Sequence, residues 1–305
     1  MKVRIAVLLA CMAVSAQAGD IDRFFKDLLK GKRPAEQQQT MAPPPQPAPQ
    51  PAPQPAAPPE RPADQLLRAL MSGNMSVEEE RRIGEKIAGN FLGAVKLVPD
   101  ANLQRYVNLV GRWVALQSDR PDLAWHFGVV DTDDINAFAS PGGYIFLTKG
   151  LYRRLGNEAE LAGVLGHEIG HVIRKHHIKV MQQSQFIALG ASLLGRKMKD
   201  ENQLIQNLIG NGAEIMSRGL DKESEFEADR VGMVLAARAG YDAFSLPKVL
   251  EDIGHVSDQD SRVALLFKTH PHPRDRFDRL AEAVGDRLDN LPEGKTLGQR
   301  FYVLR

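Results

Sequence analysis

His167-Glu168-Ile169-Gly170-His171 is the densest chemical signal in the sequence. On a helix, residues four apart are turned by about 400°, so the two imidazoles stand nearly above one another. Two neutral ring nitrogens on a rigid backbone can hold a small cation such as Zn²⁺. Glu168 is offset by about 100° and can reach past them to take a proton from activated water. Gly170 leaves space on the helix. A catalytic metal site needs a third protein ligand and an open position. Carboxylates follow 54 residues after His171, in Glu225-Phe226-Glu227-Ala228-Asp229. Glu225 and Asp229 again share a helical face. Glu225 is the candidate ligand, with Glu223 and Glu227 as rivals. Asp229 can accept the free N–H of a ligand histidine and so fix its tautomer. Alone, the pentapeptide could be a charged helix carrying unrelated histidines; the second cluster argues against that.

The elements that must position these groups are mostly helical. Ser76 followed by Glu79 is a capping-box pattern, and Ile83, Ile87, Phe91 and Val95 recur at helical spacing. Leu103, Val107, Val110 and Val114 mark a second helix. Trp125, Phe127 and Val129 alternate with their neighbours as in a strand. Pro141-Gly142-Gly143 is turn chemistry, and Tyr144 to Thr148 suit a second strand. Helical patterns dominate from Glu158 to about Ala283. The expected class is α+β, mostly helical, with a small sheet beside the helix that carries the histidines.

Composition narrows the rest. The 305 residues carry 39 Lys+Arg against 38 Asp+Glu, which argues against a generic polyanion binder, so no nucleic acid is expected as a partner. One Cys excludes a disulfide framework and a Cys-based zinc cluster. Residues 1–18 read as a signal peptide: Lys2 and Arg4, an apolar run from Ile5 to Val14, then Ala16-Gln17-Ala18. Cleavage after Ala18 is expected, although Leu8-Leu9-Ala10-Cys11 loosely resembles a lipobox and offers lipidation at Cys11 as the alternative. In residues 19–31, Ile21, Phe24, Phe25, Leu28 and Leu29 share one helical face. That face could dock on the protein itself, on a membrane surface or on a partner. Residues 32–63 hold 12 of the 19 prolines and read as a semi-rigid linker. Residues 64–305 remain for the catalytic domain.

H-E-x-x-H followed by E-x-x-A-D resembles the signature of metallopeptidase family 48, the HtpX and CAAX-prenyl-endopeptidase group. Asn136-Ala137-Phe138-Ala139-Ser140-Pro141-Gly142-Gly143 looks like the family's entry into a strand. Arg230-Val231-Gly232, Ala239-Gly240-Tyr241-Asp242 and Thr269-His270-Pro271 with Arg276 look like its later motifs. Asp221-Lys222 departs from the family's usual Ser-Arg. The resemblance covers about Val77 to Val284 and is closest to soluble exported members. It implies a zincin-like (gluzincin) fold and one Zn²⁺ per chain. It makes His167, His171 and Glu225 the ligands, Glu168 the general base, and Asp229 the support behind them. It also brings His270 forward as a fourth ligand that would cap the open position and hold the enzyme latent.

Further expectations follow. Gly143, Tyr144, Ile145 and Phe146 are expected to begin an edge strand that holds substrate as an added strand. Tyr241 and Arg276, with His270, His272 and Arg274, are candidates to stabilise the oxyanion. His176, His177, His255 and His272 lack the ligand spacing and are expected to be solvated. The function expected is an exported, periplasmic zinc endopeptidase that cleaves unfolded or misassembled envelope proteins. The alternative is a chaperone or assembly factor that uses the same cleft for binding.

Overall fold

The computed structural model describes residues 75–183, 220–257, 259–285 and 294–304. They lie within Pro58–Arg305, one of two compact units of the chain. The signal peptide, the 20–30 helix and the proline-rich linker fall outside the described residues.

Helix α1 (Val77–Ala94) begins at the capping box read from the sequence: Glu79 N–H donates to Ser76 Oγ, and Ser76 N–H donates to Glu79 at 2.8 Å. Helix α2 (Ala101–Ala115) is capped by Asp100 and buries Leu103, Val107, Val110 and Val114. Three strands follow: β1 (His126–Val130), β2 (Ala137–Ser140) and β3 (Tyr144–Thr148). Their order is β1-β3-β2. β1 runs parallel to β3, pairing Phe127 with Ile145, while β2 runs antiparallel to it, pairing Phe138 with Phe146. The turn between β2 and β3 uses Gly142 and Gly143 at φ 76° and 96°, where L side chains are strained.

This topology corrects one expectation. The strand begun by Gly143, Tyr144, Ile145 and Phe146 is central, with both backbone edges already paired, so it cannot accept a further strand. Among the described residues the unpaired edge belongs to β2, a four-residue strand that its alternation is too short to announce.

A single turn, α3 (Lys149–Tyr152), leads to α4 (Glu158–Ile173), which carries the histidines. Every residue from Glu158 to Val172 is buried, as expected of a helix apolar on most sides. The sheet and α2 cover it, and so do α5 (Lys222–Arg238) and α6 (Ser245–Gly254). Helices α7 (Ala264–Thr269) and α8 (Pro273–Val284) close the fold. Among the described residues no helix is long and apolar enough to cross a membrane.

Helices α4 and α5 meet almost backbone to backbone. A Cβ at Gly232 would lie 2.7 Å from His167 N, and one at Gly166 would lie 2.8 Å from Gly232 O. That closeness brings the acidic cluster of α5 against the histidines of α4. Gly232→Ala should therefore cost about 1–3 kcal/mol by overpacking in urea unfolding. Gly89→Ala, in mid-α1 with nothing within 4 Å of the new methyl, should instead stabilise by about 0.5–1 kcal/mol.

Candidate functional site

His167, His171, Glu225 and His270 each offer one ligand atom, and all four atoms lie within 4.8 Å of one another. His167 and His171 come from adjacent turns of α4, with their Nε2 atoms 2.9 Å apart. Glu225 comes from the first turn of α5, whose N-cap is Asp221. Its Oε2 is 3.6 Å from His167 Nε2, and its Oε1 is 3.5 Å from His171 Nε2. His270 follows α7 directly, with Nε2 3.8 Å from Glu225 Oε2. Its Nδ1 lies 2.8 Å from Thr269 Oγ1.

Glu225 is fully buried, and neither of its oxygens has a hydrogen-bond partner among the described residues. An orphaned buried carboxylate facing three converging imidazoles fits a divalent cation, and His and carboxylate donors are those zinc takes. Without a cation's charge, burial holds the Glu225 carboxyl well above its ordinary range and raises Glu168 to about 8. Burial also keeps His167, His171 and His270 neutral, the form in which imidazole ligates.

Behind the ligands lies a second layer of charge. Asp229, one turn beyond Glu225, sits 2.8 Å from His167 Nδ1. Arg276, from α8, donates Nε and Nη2 to the two Asp229 oxygens at 2.9 and 2.6 Å. Burial alone would raise the Asp229 carboxyl, but Arg276 and His167 outweigh it and hold it well below the usual range. Asp229 therefore stays ionised, draws the Nδ1–H of His167, and leaves the Nε2 lone pair for a metal. The α7–α8 segment thus supplies both His270 and the arginine that steadies His167.

One expected oxyanion stabiliser is placed elsewhere. Tyr241 donates its hydroxyl to Glu158 at 2.8 Å, at the far end of α4 and about 13 Å along the axis from His167. Arg276 binds Asp229 through Nε and Nη2, and its Nη1 lies 4.0 Å from Glu225 Oε2, beside the ligand set. Arg274 is exposed, and its N–H donates to His272 Nδ1 at 3.2 Å.

The expectation of solvated histidines fails for one residue outright. His176 is 1% exposed and touches His171, whereas His255 is exposed. His177 is partly buried and lines the cavity that holds Glu168, His171, Glu225 and His270. Asn136 lines the same cavity, and its Oδ1 is buried without a hydrogen-bond partner among the described residues. Asn136 heads the strand-entry motif, but an amide carries no ligand pattern that would have given it a role. The clue for His176 was its place five residues after His171, just past the end of α4.

Residues 101–284 match the sequence profile of Peptidase family M48. A beta-barrel assembly-enhancing protease of Escherichia coli (strain K12) is 30% identical over 240 residues, which is 76% of this chain and 48% of that protein. The mitochondrial metalloendopeptidase OMA1 of Arabidopsis thaliana is 29% identical over 170 residues, 55% of this chain and 33% of that one. Metalloprotease YcaL of Escherichia coli (strain K12) is 27% identical over 160 residues, 52% of this chain and 62% of that one. The chain spans about half the length of the first of these relatives.

Arg276→Leu strands the Asp229 charge in the interior and should lower unfolding free energy by about 3–5 kcal/mol. Adding Asp229→Asn to it should recover part of that loss, read in the same urea titration.

Proposed function

The chain belongs to peptidase family M48, and we propose that it is a zinc-dependent endopeptidase acting on unfolded or misassembled proteins of the bacterial envelope. The observation that carries this reading is the orphaned Glu225 carboxylate, set against His167 and His171 with Glu168 in the same cavity. His167, His171 and Glu225 would hold the ion. When bound, zinc supplies the Lewis acidity that polarises a carbonyl and acidifies water.

Among the described residues, Glu168 is the one acidic group of the cavity outside the ligand set. Once ionised, its buried carboxylate can take a proton from the attacking water and return it to the leaving amine. Substrate is held along β2. Among the described residues that strand pairs with β3 alone, so its outer backbone groups can receive an extended peptide. Ala137 and Phe138 line the cavity with Glu168, which supports a peptide path beside the base. Asn136 Oδ1 has a free lone pair at the start of that edge and would accept a substrate N–H. Recognition through backbone groups demands an extended segment with little sequence preference, as unfolded chains offer.

The envelope setting rests on the signal-like residues 1–18, which would direct export to the periplasm, and on the relative named for β-barrel assembly. His270 acts as the latch. With Nδ1 against Thr269, its Nε2 can occupy the position that substrate water needs, so the resting enzyme is latent.

The test uses the zinc-loaded chain on an unfolded β-barrel protein. His270→Ala should cut faster than the unsubstituted chain. Adding Glu168→Gln to His270→Ala should slow that cutting by about 10²–10⁴-fold. A chelator should abolish activity, and one equivalent of zinc should restore it. Equal turnover with Gln or Glu at position 168 would end the protease reading. Tight substrate binding without cleavage by His270→Ala would favour an assembly factor instead.

A further inference from the structure

His176 is buried just past α4, outside the ligand set, and its ring bridges two residues of unlike kind. Its Nδ1 is 2.9 Å from Nδ1 of His171, and its Nε2 is 3.3 Å from Glu227 Oε2. With a neutral His176 ring, one arrangement of protons satisfies both contacts. The Glu227 carboxylate only accepts, so Nε2 of His176 carries the hydrogen. A neutral ring then has its lone pair at Nδ1, where it accepts the Nδ1–H of His171. His171 is left with its lone pair on Nε2, the atom that faces His167 and Glu225.

We infer that His176, anchored by Glu227, is a positioning residue that fixes the tautomer and orientation of His171 for metal binding. The inference rests on the zinc site proposed above. It gives the two ligand histidines parallel supports from one helix. Asp229 of α5 holds His167 directly, while Glu227, two residues earlier, holds His171 through an intervening imidazole. The backbone is shaped for this. Lys175 adopts φ 57°, a left-handed conformation usual for glycine after a helix, and the chain becomes helical again at His176. That reversal turns the ring of residue 176 back onto His171. Arg174 Nε then steadies the far end, 3.0 Å from Glu227 Oε1.

The test is zinc affinity of the full chain, measured by competition with a chromophoric chelator and independent of turnover. His176→Leu should bind zinc about 10–100-fold more weakly than the unsubstituted chain, the loss seen when such supports are removed. His176→Asn places an acceptor oxygen about where Nδ1 stood and should recover most of that loss. Glu227→Leu removes the anchor at a partly exposed position and should weaken binding by about 10-fold. Thermal unfolding of the metal-free proteins separates a lost support from a lost fold. If His176→Leu does not fold, the Asn and Glu227 variants decide the matter. Affinity unchanged in His176→Leu, or in both His176→Asn and Glu227→Leu, overturns the inference; so does an Asn variant as weak as a folded Leu variant. An unsubstituted chain that takes up no zinc would instead defeat the metal site itself.

Discussion

A carboxylate buried with both oxygens lacking a hydrogen-bond donor is costly to keep ionised, and among the described residues Glu225 is placed that way. Either a proton or a cation must compensate it. The three imidazoles around it are held neutral by burial, and the Arg276 guanidinium, 4.0 Å away, is paired with Asp229. A divalent ion satisfies the carboxylate and the imidazole lone pairs together. The helix packing, the buried arginine and the β2 cleft all surround that requirement.

The fold meets it through close approach. Gly166 and Gly232 let α4 and α5 touch at the backbone, which sets Glu225 within 3.6 Å of both ligand histidines. Orientation is a separate problem, because a histidine with the wrong tautomer presents N–H to the ion. Asp229 solves it for His167, and it can remain charged in the interior because Arg276 grips it at two points. The far end of α4 is fixed independently. Glu158 receives the hydroxyls of Tyr106 and Tyr241 at 3.0 and 2.8 Å and an Arg300 contact at 2.8 Å. The helix bearing the ligands is thus pinned at both ends.

Much of this was legible in the sequence, for reasons that differ by residue. Spacing of four on a helix is a geometric fact, so His167 with His171 and Glu225 with Asp229 could be paired before any coordinates. The capping box at Ser76 and Glu79 was equally local. Sheet order was not, because strand neighbours depend on chain reversals far apart. The run from Tyr144 to Thr148 has the β-rich texture of a strand, but its fully buried inner positions mark it as central. Tyr241 and Arg276 were recognisable as unusual residues, yet their tasks depend on Glu158 and Asp229, which approach only in three dimensions. His176 was hidden by the end of a helix: its spacing of five does not continue the α4 pattern, and only the left-handed Lys175 returns it to His171.

The central claim is that one zinc ion sits on imidazole and carboxylate from α4 and α5. Zinc-edge X-ray absorption on the chain loaded with one equivalent tests it most directly. The expected result is a four-coordinate ion with at least two imidazole nitrogens at about 2.0–2.1 Å and the remaining ligands nitrogen or oxygen. A six-coordinate shell of oxygen alone, without the scattering of imidazole rings, would contradict it.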